Sequence, residues 1–294
     1  MSGPPPALSR ATVDRAAHRR TDAEWLDAAW LGPASRVLVI EDGRVLVDEA
    51  GLLFVPPAET PAGERYFLGT EAGTAFWAVP GPLPLSAGGR PATLRDVGAE
   101  LGDRDAGLFT HAAALANWHA AHRCCSRCGH PTEPVLGGHV RRCPGDGSEH
   151  FPRTDPAVIM LVHDGADRCV LGRGPTWPAR RYSVLAGFVE PGESAEQAVA
   201  REVAEEVGLS LVDIRYAGSQ PWPFPSSLML AFRAEAAGKP LRVDGTELAD
   251  AGWYTRDEIA DRQAAGRLTL PPPVSIARRL IEDWLHPPDR RGPT

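Results

Sequence analysis

The sequence predicts an α+β protein in two parts, a small β-rich domain followed by a domain with a mixed sheet and one acidic helix. Three observations carry this. The chain has 294 residues, room for about two domains at roughly 150 residues each. Short β-branched runs bounded by Gly, Pro and Asp recur through both halves, and Gly and Pro number 30 and 29. One long, well-capped helical pattern, residues 194–207, lies between strand patterns in the second half.

In chain order, residues 1–20 are Pro- and Arg-rich and read as an extended lead-in. Residues 21–30 give a short helix with Trp25 and Ala29 on one face. Arg36–Ile40, Glu41-Asp42-Gly43 and Arg44–Asp48 read as a β-hairpin with Asp-Gly in a primed turn. Further short strands are expected at 52–55, 65–68 and 74–79. Leu108, Ala112, Leu115 and Trp118 recur at helical spacing, so 103–122 is predicted as a helix that closes the first domain. In the second half, strands are predicted at 158–162, 169–172, 214–219 and 228–234, and a last helix at 274–285 after three prolines. The expected domains are 1–122, a cysteine-bearing segment 123–152, and 153–294.

Composition excludes several classes. Hydrophobic residues at 43% and charged residues at 23% are ordinary for a folded globular chain. A net charge of −7 argues against broad electrostatic capture of nucleic acid or membrane. No apolar run approaches the ~18 residues of a membrane span, and the opening Met-Ser-Gly-Pro-Pro-Pro lacks the pattern of a secretory signal. Five cysteines, four of them between 124 and 143, suit a reduced cytoplasmic protein with one local metal site better than a disulfide framework.

The helix at 194–207 carries the chemistry. Ser194 and Gln197 form a capping-box pattern, and Gly208 stands where a left-handed C-terminal cap belongs. At about 100° per residue Glu202 and Glu206 point the same way, with Glu205 about 60° aside, while Val199, Val203 and Val207 make a neighbouring stripe to bury. Like charges at this spacing repel, so three crowded glutamates want a cation. Hard oxygen ligands facing solvent suit Mg²⁺ or Mn²⁺, which bridge substrate phosphates. The bland alternative is a solvated acidic face. Against it, seven fixed residues, with aliphatic Val203 and Leu209 between and after them, match one pattern in Gly187-x5-Glu193-x7-Arg201-Glu202-Val203-x-Glu205-Glu206-x-Gly208-Leu209 that chance would give in well under one chain in about 10⁵.

That pattern resembles the Nudix box of the Nudix hydrolases at every position. The resemblance implies an α/β/α sandwich that hydrolyses a nucleoside diphosphate linked to another moiety. It implies that Glu202, Glu205 and Glu206 hold the divalent ions, with the Ala186 carbonyl as a further ligand, and that Glu193 and Arg201 brace loop and helix. Past the box, Ser219-Gln220-Pro221-Trp222-Pro223-Phe224-Pro225-Ser226-Ser227, followed by Leu228-Met229, is rich in proline and reads as a rigid loop rather than a strand interior. It resembles the signature of the NAD(H) pyrophosphatase, NudC-like, subfamily. That implies cleavage of NADH or NAD⁺ to nicotinamide mononucleotide and AMP, and removal of NAD caps from RNA 5′ ends. Implied substrate contacts are Gln220, Trp222, Phe224, Ser227, Met229, the ring-stacking Phe151 and Phe188, the backbone of Ala277, and Arg95 as a phosphate contact. Glu247 matches a distal glutamate that completes the metal cluster, and a homodimer is implied in which the two stacking rings come from different subunits. The competing substrate class is another nucleoside diphosphate derivative such as ADP-ribose.

Cys125-x2-Cys128, then Cys143 after 14 residues, resembles the subfamily's zinc ribbon. A structural zinc wants four ligands, and the positions of the subfamily's fourth cysteine hold Asp146 and Ser148. Asp146, His139 or His150 would complete a Zn²⁺ site, with Cys124 as a competitor; the alternative is a metal-free knuckle. Cys169 falls in a strand and is expected as a small buried hydrophobe.

Overall fold

The computed structural model describes residues 5–237, 240–243 and 245–287; residues 1–4 of the expected lead-in lie outside the described residues. Contacts divide the chain into two compact units. One holds residues 8–154 together with Pro221–Ser227, and the other holds residues 155–220 and 228–287 with the short segment before Leu8.

The first unit is built from α1 (Ala23–Leu31), β1 (Arg36–Ile40), β2 (Arg44–Asp48), β3 (Gly51–Leu52), β4 (Tyr66–Glu71), β5 (Thr74–Pro80), β6 (Arg90–Thr93), α2 (Leu94–Val97), α3 (Asp103–Ala121), and the small ribbon strands β7 (Glu133–Val135), β8 (Val140–Arg142) and β9 (Glu149–His150). The expected primed turn forms. Asp42 and Gly43 have φ of 48° and 74°, and Glu41 and Arg44 exchange backbone bonds of 2.9 and 2.8 Å. The hairpin expected beyond it does not. β1 runs parallel to β5 in a sheet ordered β1-β5-β4, while β2 pairs with β3 and β6 in a second sheet. The reason is burial: Val37, Leu38, Val39 and Ile40 are all 3% exposed or less, so β1 has no face to leave in water and each strand is covered by its own sheet. The lead-in is anchored rather than free, because Asp14 and Thr70 exchange backbone hydrogen bonds and Leu8 is buried. α3 matches the predicted helix and buries Leu108, Phe109, Ala112, Leu115 and Trp118.

The second unit contains β10 (Asp155–His163), β11 (Arg168–Arg173), β12 (Leu185–Phe188), α4 (Ala195–Val207), β13 (Ser210–Trp222), β14 (Ser227–Ala237), β15 (Asp250–Thr255), α5 (Arg256–Ala264) and α6 (Ile276–Leu285). Its sheet is ordered β13-β14-β10-β11-β15, with β12 on β10. Side chains alternate across a strand, and β10 shows what that does here. Val158, Met160 and Val162 cluster with Val199, Val203 and Val207 of α4. Ile159 and Leu161 cluster with Ile276, Leu280, Ile281 and Trp284 of α6. With a helix on each face, β10 reads as a continuous apolar run and the unit is the expected α/β/α sandwich. Cys169 is fully buried in the α6-side cluster, as expected.

One boundary differs from expectation. Residues 219–222 are not loop but the end of β13, and the turn is confined to 223–226. β13 is an edge strand, where Pro221 removes no needed ladder donor.

Candidate active site

The acidic helix is held at both ends as its sequence predicts. Ser194 Oγ accepts from the Gln197 N–H at 3.2 Å, the Gln197 side chain accepts from the Ser194 N–H at 2.8 Å, and Gly208 closes the helix at φ 69°. With Val199, Val203 and Val207 fully buried, the rotation of α4 is fixed. Glu202 and Glu206 are then 8% and 6% exposed, while the Glu205 side chain stays open at 56%.

Arg201 ties this face together. It donates two bonds to Glu193, Nε to Oε1 and Nη2 to Oε2, both at 2.9 Å. The same Nη2 reaches the Phe188 carbonyl at 2.9 Å, and Nη1 reaches Glu202 Oε1 at 2.8 Å and Glu205 Oε2 at 3.0 Å. The hydrogen bonds to Glu193 foremost hold Arg201 firmly cationic, and the same bonds hold Glu193 below its ordinary range. Glu202 moves the other way. Burial raises it, Arg201 opposes, and the charges of Glu247 and Glu205 raise it further. Glu247 therefore lies near enough to Glu202 for its charge to be felt there.

The donor set has the hard-oxygen chemistry a divalent cation takes, although its carboxylates are not among the side chains gathered within 4.8 Å of one another in the described residues. The expected ligands are four carboxylates, two of them buried, with one arginine shared among their neighbours. The backbone is also cut away for them: a Cβ built on Gly187 would stand 1.9 Å from the Glu202 carboxylate. The first glycine of the box is thus a cradle for the glutamate 15 residues later. Ala186, beside it on β12, pairs with Ile159 of β10.

The expected substrate contacts fall into both units. Phe188, in the sandwich unit, is 60% exposed, and Phe151, in the N-terminal unit, is 66% exposed. Neither ring packs a core, so both are available for stacking. Trp222 and Phe224 meet edge to face at 4.8 Å, under the Arg95 guanidinium at 5.0 and 3.9 Å. Arg95 is expected as a phosphate contact, and here it lies over these rings. Met229 packs against the α6-side core and Ser227 opens β14.

Two expected contacts are buried in this structure. Gln220 is fully buried, donating to the Val274 carbonyl at 2.8 Å and accepting from the Ile276 N–H at 2.6 Å. Both ends of its amide are engaged in fixing the entry to α6. Ala277 is 2% exposed and its N–H donates to the capping Ser275 Oγ at 3.2 Å, so that backbone donor is already engaged.

In the ribbon, one ligand atom from each of Cys125, Cys128, Cys143 and Asp146 lies within 4.8 Å of the others. Two knuckles build this: Gly129 N–H bonds the Cys125 carbonyl and Gly147 N–H bonds the Cys143 carbonyl, both at 2.9 Å. Cys143-Pro-Gly-Asp146 repeats the spacing of Cys125-Ser-Arg-Cys128, so Asp146 stands where the second knuckle's cysteine would. His139 is excluded as a ligand, since its Nε2 faces the Phe67 carbonyl at 2.9 Å and burial pushes it down to about 4. His150 Nε2 faces Ser148 Oγ at 3.3 Å, and neither it nor Cys124 belongs to the metal-competent group among the described residues.

Three family models match consecutive stretches of the chain. They are an NADH pyrophosphatase-like rudimentary NUDIX domain over residues 34–118, an NADH pyrophosphatase zinc ribbon domain over 120–151, and a NUDIX domain over 153–271. The chain is 46% identical over 302 residues to the NAD-capped RNA hydrolase NudC of Mycobacterium bovis, covering 95% of this chain and 94% of that protein. The same figures hold for the protein of that name from Mycobacterium tuberculosis. NAD-capped RNA hydrolase NUDT12 of Homo sapiens is 38% identical over 198 residues, 63% of this chain and 43% of that one. The β-rich N-terminal domain is thus similar to a degenerate copy of the second domain's own family, which its sequence pattern did not reveal.

Proposed function

The chain belongs to the Nudix hydrolases, with the NAD-capped RNA hydrolases as its relatives, and from this we propose that it cleaves the pyrophosphate of NADH or NAD⁺. The products are nicotinamide mononucleotide and AMP, and the same cut removes an NAD cap from an RNA 5′ end. The observation that carries the reading is the carboxylate face of α4, two of whose glutamates are buried over a glycine cradle.

Glu202, Glu205, Glu206 and Glu247 would hold Mg²⁺ or Mn²⁺ with the Ala186 carbonyl. When bound, such ions neutralise charge on the diphosphate and make water acidic enough to attack at neutral pH. The protein's own groups do the rest. Glu205 or Glu206 takes the attacking water's proton. Glu193 and Arg201 keep the helix and the preceding loop in register. Phe188 and Phe151 offer flat surfaces on which the rings of the dinucleotide stack, worth about 1–3 kcal/mol per base. Trp222, Phe224, Ser227 and Met229, with Arg95, line the remainder of the binding region. The two stacking rings belong to different subunits of a homodimer. Zn²⁺ is held structurally by Cys125, Cys128, Cys143 and Asp146. No helix among the described residues is long and apolar enough to cross a membrane, and the reading places the enzyme in the cytoplasm.

The test is turnover of NADH, NAD⁺ and ADP-ribose by one preparation with Mg²⁺ or Mn²⁺, products separated by chromatography. Release of nicotinamide mononucleotide and AMP is expected. A preparation that splits ADP-ribose and leaves both dinucleotides whole overturns the substrate assignment.

A further inference from the structure

The turn at 223–226 is unusual in what it lacks. Pro221, Pro223 and Pro225 have no N–H, so the segment has few donors of its own, and an internal bond runs from the Phe224 N–H to the Trp222 carbonyl at 2.7 Å. The carbonyls of Pro223 and Pro225 are met instead by a single side chain. Half-buried Asn117 of α3 donates from Nδ2 to Pro223 O at 2.9 Å and to Pro225 O at 3.2 Å. The helix that presents it is anchored by Leu115 and Trp118, each 3% exposed. From the other side Arg95 lies 3.9 Å over Phe224. A cavity of about 620 Å³ opens between Arg95, Asn117, Phe224 and the flanking prolines.

We propose that Asn117 is a positioning residue for the dinucleotide: its carboxamide holds the Trp222–Phe224 turn in the shape that receives substrate. The chemistry is specific. An amide nitrogen has two donors and can fork to two carbonyls; a carboxylate of the same size has none, and a hydroxyl has one. This gives the N-terminal unit a role, since α3 sets a turn 106 residues further along the chain. The proposal rests on the reading that Trp222, Phe224 and Ser227 face the dinucleotide.

Asn117→Asp and Asn117→Ala test it, with two readouts. In steady-state kinetics both variants are expected to raise KM for NADH about five- to tenfold with kcat within twofold and the thermal midpoint within a few degrees. In hydrogen–deuterium exchange, the Phe224 and Ser226 amides are expected to exchange at least tenfold faster in Asn117→Asp. Unchanged KM in both variants overturns the proposal. So does a joint fall of kcat and thermal midpoint, which marks a merely structural residue. Wild-type protein that leaves NADH intact defeats the dinucleotide reading; the exchange measurement still decides whether Asn117 holds the turn, and unchanged exchange there overturns the clamp itself.

Discussion

At the scale of single residues, the site is a set of carboxylates whose geometry depends on small neighbours. Gly187→Ala drives a methyl group into the Glu202 carboxylate. We expect it to weaken Mn²⁺ binding, followed by electron paramagnetic resonance, and to lower kcat by about 10–100-fold, as loss of even outer ligand support does. Glu206→Gln removes a charge from the same face and is expected to lower kcat by about 100-fold or more with an unchanged circular-dichroism spectrum. Near-normal activity in that variant sinks the metal assignment. Both positions were legible in the sequence, because the box fixes residue types within one helix and the loop before it. Gln220 and Ala277, expected as substrate contacts, are both buried. A residue belonging to a substrate-binding motif can serve it from inside, and only burial separates Gln220, fully enclosed, from Phe188, open to solvent.

Elements were legible where their signals are local. The capping box and the glycine stop of α4 are read directly from Ser194, Gln197 and Gly208, and Ser194→Ala is expected to cost about 1 kcal/mol, seen as a shift of the denaturant midpoint. Pairing was not legible. The Asp42-Gly43 turn is real, yet β1 and β2 go to different sheets because partner choice depends on burial of both faces by chain far away. The Asn117 contact is equally silent in the sequence. The helix α3 also carries a titration. Arg141 Nη1 donates to His119 Nδ1 at 2.7 Å and His119 Nε2 donates to the Gly138 carbonyl at 2.8 Å, so the ring is held neutral. Burial foremost pushes it down to about 4, with Arg141 adding to the effect and the Gly138 bond and Glu64 opposing it. His139 is likewise down to about 4. A buried neutral histidine binds fewer protons folded than unfolded, so its stabilisation is complete above about pH 6.5 and is lost as pH falls toward 4. The expected slope approaches about 1.4 kcal/mol per pH unit for each ring. Urea midpoints at pH 7, 5.5 and 4.5 measure it, and a His119→Gln variant should flatten the dependence.

At the scale of the whole molecule, the chain joins a domain similar to a rudimentary Nudix domain, a zinc-ribbon-like segment and a Nudix sandwich. Among the ligands the cysteine spacing leaves open, Asp146 repeats the knuckle position of Cys128 and lies with the three cysteines, and it is the one we propose. We expect about one zinc per chain by elemental analysis, lost in Asp146→Ala, with a lower thermal midpoint. Finding no zinc in wild type leaves a metal-free knuckle. Arg201 has a consequence of its own. Reaching Glu193, Glu202 and Glu205 at once, it supplies positive charge to the acidic face from within the polypeptide. Part of the repulsion among these carboxylates is thus offset without a bound ion, and we expect stripping divalent ions to leave the fold standing.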